Sequence, residues 1–253
     1  MHDGRRAMVR GDFEAAARAF GSATRERPDD AEAWLALGRA EMAAERYERA
    51  REALSTCARL RPRAALPRVL IGHAWELQRR YDEAFVAYRQ AVEAAPRSAW
   101  AHRVLGTRLL RWGRAELALG SLARSIELDP AHAETWNGLA LARNAAGDVA
   151  GAEEAFRRGI ARHPRHAGMR LGLAALYVNS GRFEAALAIY DDVVRAQPSF
   201  APAHVGRGIL LHELGREDQA EAAFAEAVRV ARRPERFQRR LDAYRALRRE
   251  GRD

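Results

Sequence analysis

Prolines stand at positions 28, 62, 96, 130, 164 and 198, each 34 residues after the one before. No other feature of the chain constrains its fold as tightly. A fixed period of that length marks small helical units stacked in a row, each burying the apolar face of the next. A chain built that way has no single globular core.

The period holds at every packing position. Each repeat is numbered so that its proline is slot 32. Slot 20 is then Ala50, Ala84, Ala118, Ala152, Ala186 and Ala220. Slot 8 is Gly38, Gly72, Gly106, Ala140, Ala174 and Gly208. Slot 24 is large: Leu54, Tyr88, Leu122, Phe156, Tyr190 and Phe224. Slot 7 is Leu37, Ile71, Leu105, Leu139 and Leu173, breaking to Arg207. Slot 27 is small or β-branched throughout, and Cys57 occupies it in the first full repeat, which predicts a buried thiol. Small residues let two helices approach, and large ones fill the space between hairpins.

These residues resemble the tetratricopeptide repeat (TPR) family, whose pattern runs Trp-x2-Leu-Gly-x2-Tyr, then Ala-x3-Phe, then Pro. Trp34, Leu37, Gly38, Ala50, Leu54 and Pro62 follow it. So do Trp136, Leu139, Ala140, Ala152, Phe156 and Pro164. Arg68, His102, Arg170 and His204 replace the first Trp, a slot read here as loose. The resemblance implies an all-α, right-handed superhelix, an α-solenoid of helix-turn-helix repeats. The expected division is a partial repeat over 1–30, six tandem repeats over 31–232, and a capping helix with a basic tail over 233–253.

The local signals agree. Helix A of the first full repeat is expected over about 31–44 and helix B over about 47–60. Gly113, Gly147, Gly181 and Gly215 supply the left-handed residue that closes helix A, whereas Glu45 and Arg79 stand at that slot earlier. Asp12, Phe13, Ala16, Phe20 and Ala23 read as helix B of an earlier repeat, with a shortened helix A over about 3–10. That beginning reads as a truncated cap or an incorrect start. Pro234 opens a last helix, ended by Gly251, with Phe237, Leu241, Tyr244 and Leu247 on one stripe.

Composition narrows the chemistry. All 43 basic side chains are arginine, so there is no P-loop, Schiff-base or kinase-type lysine. One cysteine allows neither an internal disulfide nor a cysteine-rich zinc site. His212-Glu213 begins a zinc-protease pattern, but Arg216 stands where the second His belongs. The expectation is a non-enzyme with no cofactor, no metal and no small-molecule substrate. With no long apolar run, no signal peptide or membrane span is expected, and a soluble, cytoplasmic, bacterial protein is the default. The net charge of +9 gathers at the ends: residues 232–253 hold nine Arg against four acids. Between them, pairs such as Glu14 with Arg18, Glu153 with Arg157 and Glu154 with Arg158 read as solvated helix faces.

The resemblance also names the slots that a TPR superhelix turns inward, chiefly 2, 5, 9 and 12 of helix A. The candidate groove residues are Arg39, Val69, His73, Trp100, Arg103, Thr107, Asn137, Leu141, Asn144, Leu171, Ala175, Val178, Val205 and Ile209. No repeat pairs Lys at slot 5 with Asn at slot 9, which rejects the family's C-terminal-carboxylate ligands. An Asn ladder at slot 6, found in sugar-transferase relatives, is also missing. What remains is an apolar wall with polar anchors, suited to a protein or peptide partner with apolar side chains. The reading is an elongated monomer acting as an interaction scaffold. One rival is an accessory subunit of a separately encoded enzyme. The other is a binder of nucleic acid or an anionic surface through the Arg-rich ends, disfavoured because those arginines lack interleaved stacking aromatics.

Overall fold

The computed structural model describes residues 1–250, with side chains for residues 1–246. The side chains of Leu247, Arg248 and Arg249, and Gly251 itself, lie outside the described residues. The helices follow in pairs: α1 (His2–Arg10) and α2 (Phe13–Glu26), α3 (Ala31–Ala43) and α4 (Tyr47–Leu60), α5 (Ala65–Leu77) and α6 (Tyr81–Ala94), α7 (Ala99–Arg111) and α8 (Ala115–Leu128). Then come α9 (Ala133–Ala145) and α10 (Val149–Arg162), α11 (Ala167–Asn179) and α12 (Phe183–Ala196), α13 (Ala201–Glu213) and α14 (Glu217–Val230), and finally α15 (Glu235–Glu250). Odd-numbered helices up to α13 are helices A, and even-numbered ones are helices B. The described residues contain no strand. Two compact units divide the chain, residues 1–135 and residues from 136 onward, with the boundary inside α9.

The turn after each helix A is closed by a left-handed residue. Gly113, Gly147, Gly181 and Gly215 hold φ of 74°, 84°, 71° and 70°. Glu45 and Arg79 take the same conformation, at 59° and 61°, although a Cβ is strained there. Gly11 closes α1 in the same way, at 76°.

Within a hairpin, the slot-8 glycine takes the slot-24 side chain against its backbone. A Cβ on Gly38 would stand 2.5 Å from Leu54 Cγ, one on Gly72 2.7 Å from Tyr88 Cε1, and one on Gly106 2.6 Å from Leu122 Cγ. Gly4 meets Phe20 at 2.5 Å, which puts α1 in register: Gly4 is slot 8 and Phe20 slot 24. The next helix A closes on the same large residue from its slot 6. Gly172 meets Phe156 at 2.6 Å and Gly206 meets Tyr190 at 2.4 Å. The slot-24 side chain thus packs against helix A backbone, of its own hairpin at slot 8 in the earlier repeats and of the next hairpin at slot 6 for Phe156 and Tyr190. Cys57 is also buried, at 1% exposure, and burial pushes its thiol pKa up.

In four repeats slot 4 donates back to the preceding proline, whereas Arg68 donates to the Ala64 carbonyl instead. Trp34 Nε1 donates to the Pro28 carbonyl at 2.8 Å, and an Arg170 nitrogen donates to the Pro164 carbonyl. His102 Nε2 lies 3.1 Å from the Pro96 carbonyl and His204 Nε2 lies 2.8 Å from the Pro198 carbonyl. A carbonyl only accepts, so Nε2 carries the proton in both histidines. Each bond satisfies a carbonyl of the turn just past the end of a helix B.

Arginines at slot 16 join successive hairpins. They open helices B without capping them, and three of them reach acids of the preceding helix B, whereas Arg80 pairs with Glu83 on its own helix. Arg46 pairs with Glu14, Arg114 with Asp82 at 2.7 Å, and Arg182 with Glu153 at 2.8 Å. The Glu14–Arg18, Glu153–Arg157 and Glu154–Arg158 pairs form at 4.0, 2.7 and 3.3 Å. Glu153 also accepts from the Tyr177 hydroxyl at 2.8 Å, so it ties two hairpins rather than only solvating a face. At the other end α15 lies on α14. Leu241 and Tyr244 are buried, and the Phe224 and Tyr244 rings are 4.9 Å apart.

Candidate partner-binding face

Successive hairpins meet chiefly where helix B packs on the next helix A, and successive helices A also touch: α3 with α5 and α5 with α7 in the first unit, α11 with α13 in the second. The side chains at slots 2, 5, 9 and 12 of those helices therefore form neighbouring rows. What lies between two rows differs from one pair to the next.

Between α1 and α3 the rows leave a cavity of about 410 Å3. Met1, Arg5 and Met8 stand on α1, and Glu32, Leu35, Ala36 and Arg39 on α3. Its floor is Phe20, the slot-24 residue of α2. Glu32 is held by Arg61 at 2.5 Å.

Between α5 and α7 the equivalent space is filled by ions. Glu76, at slot 12, accepts from the Tyr88 hydroxyl at 3.0 Å and lies 3.3 Å from Arg108 and 3.8 Å from Arg111. Burial, and then the Glu76 charge, push the Tyr88 hydroxyl pKa upward. His73 stands one turn away on α5. Burial, and then the Arg108 charge, push its imidazole below the usual histidine range, so it is neutral at pH 7.

Between α11 and α13 the space opens again as a cavity of about 130 Å3. Ala175, Val178 and Asn179 line one side; Gly206, Ile209, Leu210 and Glu213 line the other. Tyr190, again a slot-24 residue, reaches it, and burial pushes its hydroxyl pKa up. The ring fits because slot 6 is Gly206: a Cβ there would stand 2.9 Å from the Tyr190 hydroxyl oxygen.

The structure thus gathers Arg39 into the first cavity, and Ala175, Val178 and Ile209 into the second. Leu141 and Ile209 are 40% and 41% exposed, unusual for large aliphatic side chains. Trp100, Arg103, Thr107, Asn137, Asn144 and Leu171 are half-buried. The Thr107 hydroxyl donates to the Arg103 carbonyl at 2.8 Å, which turns it back on its own helix. Val69 and Val205 are 8% and 6% exposed. These short β-branched side chains sink into the hairpin packing and offer a partner almost no surface. Met1, Arg5, Met8 and Tyr190 were not among the expected groove residues. The 34-residue register predicts the first three, since Gly4 at slot 8 sets them at slots 5, 9 and 12. A slot-24 residue reaching the inner face is visible only in three dimensions.

Comparison with known proteins places these features in a wider set. Two sequence patterns described as Tetratricopeptide repeat match, one over residues 4–65, 35–99 and 103–167, the other over 143–204 and 180–243. No curated protein matches the sequence. Among solved structures, the chain is similar to the C-terminal part of a TPR repeat-containing protein from Cytophaga hutchinsonii. That likeness has a TM-score of 0.72 at 12% identity, covering 90% of this chain and 93% of that one. YrrB, described as a TPR protein with an unusual peptide-binding site, gives 0.61 at 24% identity over 74% of this chain and 97% of its own. MamA gives 0.57 at 25% identity over 63% and 94%.

Proposed function

The chain belongs to the tetratricopeptide repeat family, and from that premise we propose that it is a binding module, not an enzyme, whose helices A hold a segment of a protein partner. The observation that carries this reading is the pair of cavities opening between successive helices A over a slot-24 aromatic, Phe20 in the first unit and Tyr190 in the second. Space of that kind takes a side chain from outside, because the array itself leaves it unfilled. Exposed Leu141 and Ile209 add apolar surface on helices A of the second unit. Half-buried Trp100 belongs to the residue types that most often anchor interfaces. YrrB, of similar fold, is described as having a peptide-binding site, which agrees in kind.

The test is affinity capture from the source cell, followed by binding of the identified partner to variants. Leu141→Asp and Ile209→Asp each introduce a charge at an exposed apolar position, so helicity is expected to persist. Trp100→Ala is read only after its circular dichroism matches the parent. Each variant is expected to weaken partner binding by more than tenfold, or about 1.4 kcal/mol. Unchanged affinity in all three retires the reading. Loss of binding on removing Arg239 and Arg240 instead, together with abolition by moderate salt, supports an anionic surface as the ligand.

A further inference from the structure

The inward slots of the two units carry different charge. Slots 2, 5, 9 and 12 of α9, α11 and α13, all but Glu134 in the second unit, hold no arginine at all. In the first unit Arg5 and Arg39, both slot 9, flank one cavity, and Arg103 stands at slot 5 of α7. Among the described residues no carboxylate pairs with these three. The acids at inward slots of α3 and α5 are already engaged: Glu32 by Arg61, and Glu76 by Arg108, Arg111 and Tyr88. His73, between them on α5, is neutral and contributes nothing at pH 7. Glu32 and Glu134 are the exposed acids at inward slots near this set; Glu32 is held by Arg61, and Glu134 lies on the first turn of α9 at the unit boundary.

Arg103 sharpens the point. Its Nε is shielded from water yet has no acceptor among the described residues. A buried donor without an acceptor is unfavourable, and a guanidinium fork matches a carboxylate with two parallel bonds. Around Arg5 and Arg39 the cavity wall is otherwise Met1, Met8, Phe20, Leu35, Ala36 and Glu32, whose carboxylate is paired with Arg61. An occupant that suits it has an apolar side chain flanked by negative charge.

We infer that the first unit recognises an acidic segment of a protein partner. Its Asp or Glu side chains meet Arg5, Arg39 and Arg103, and an apolar side chain fills the cavity over Phe20. The inference rests on the inner face being the binding face. A nucleic acid is the poorer fit, because its evenly spaced phosphates leave the methionine- and leucine-lined cavity empty and the arginines are not interleaved with exposed stacking rings.

The experiment pans a random 12-residue display library against the full chain. Selected peptides are synthesised with amidated C-termini, so that only side-chain carboxylates are read. Their affinities are measured by fluorescence anisotropy for the parent, Arg39→Glu, Arg103→Glu, Arg103→Met and Ile209→Asp, each first checked for unchanged helicity. A 12-nucleotide poly(U) is measured alongside. The expected result is net acidic peptides with apolar residues between the acids, weakened about tenfold by Asp-to-Asn and Glu-to-Gln replacement and by moderate salt. Arg39→Glu and at least one Arg103 variant weaken them similarly, and poly(U) binds more weakly. Neutral or basic peptides, lost in Ile209→Asp but not in Arg39→Glu, overturn the acidic segment and leave the inner face standing. Peptides indifferent to every variant overturn both. A library that yields no binder, or poly(U) binding tighter than any peptide and lost in Arg39→Glu, overturns the acidic segment.

Discussion

The indole Nε1 of Trp34 donates a 2.8 Å hydrogen bond to the carbonyl of Pro28, six residues earlier. The same bond recurs from His102, Arg170 and His204 to the carbonyls of Pro96, Pro164 and Pro198. Residues that share neither size nor hydropathy share one N–H that reaches back over the turn. The proline ends a helix B, and the slot-4 donor of the next helix A satisfies the carbonyl left behind. At these four turns the chain is thus fixed by a side chain as well as by proline.

Removing that donor while keeping the ring tests its weight. Trp34→Phe and His204→Phe each lose one hydrogen bond, and the His204 site is buried. Each is expected to destabilise the fold by about 1 kcal/mol, with the buried His204 position at the higher end. Urea unfolding of both variants checks this, and unchanged midpoints contradict it.

Glu45 and Arg79 occupy left-handed backbone at φ 59° and 61°, where the later hairpins use glycine. Both side chains are exposed. Glu45→Gly and Arg79→Gly are each expected to stabilise the fold by about 1 kcal/mol. The reverse change, Gly113→Ala, is expected to cost a similar amount, since nothing within 4 Å blocks its Cβ and only the backbone is strained. Thermal melts of the three variants give the signs directly.

His73 predicts a pH dependence. Its folded pKa is depressed, by burial first and then by Arg108. Above the unfolded-state value of about 6.5 both states are neutral, and the contribution is fully present. As pH falls through that value, the unfolded chain binds the proton first, so stability is lost down to the folded pKa. Melting temperatures at pH 7.5 and pH 5.5 are expected to differ less for His73→Gln than for the parent. An equal drop in both contradicts the assignment.

The packing of α15 on α14 predicts a capping role. Leu241 and Tyr244 are buried there, and the Tyr244 hydroxyl donates to the Glu217 carbonyl at 3.0 Å. Burying one large apolar side chain is worth about 1.5–3 kcal/mol. Truncation after Arg233 uncovers Phe224 and is expected to lower the melting temperature and promote aggregation. Tyr244→Phe keeps the ring and is expected to cost only about 1 kcal/mol. A truncated chain as stable and soluble as the parent removes the capping role.

Much of this architecture is legible in the chain. The proline period places the helices: expected limits of 31–44 and 47–60 compare with Ala31–Ala43 and Tyr47–Leu60. Glycine after helix A marks the left-handed turns, and the alternation of small slot 8 with large slot 24 gives the hairpin contact, down to Gly4 and Phe20. The slot-4 donor escapes such reading because hydropathy and volume are the wrong measures of a residue chosen for an N–H. The candidate face escapes it in another way. Slots 9 and 12 recur in every repeat, yet they border an open cavity at Arg39, an ion cluster at His73 and Glu76, and an apolar cavity at Ile209.

The sequence by itself determined which residues pack inside each hairpin, because a 34-residue period repeats the same short-range neighbours and the same steric fit. Only the tertiary structure decided which inward slots are open, filled or charged. That depends on how side chains from two hairpins share one space: Glu76 closes over Tyr88 because Arg108 and Arg111 reach it, while Gly206 leaves Tyr190 at the edge of a cavity. Such pairings join side chains from different helices, and their outcome turns on Å-scale clearances that a repeating pattern does not specify.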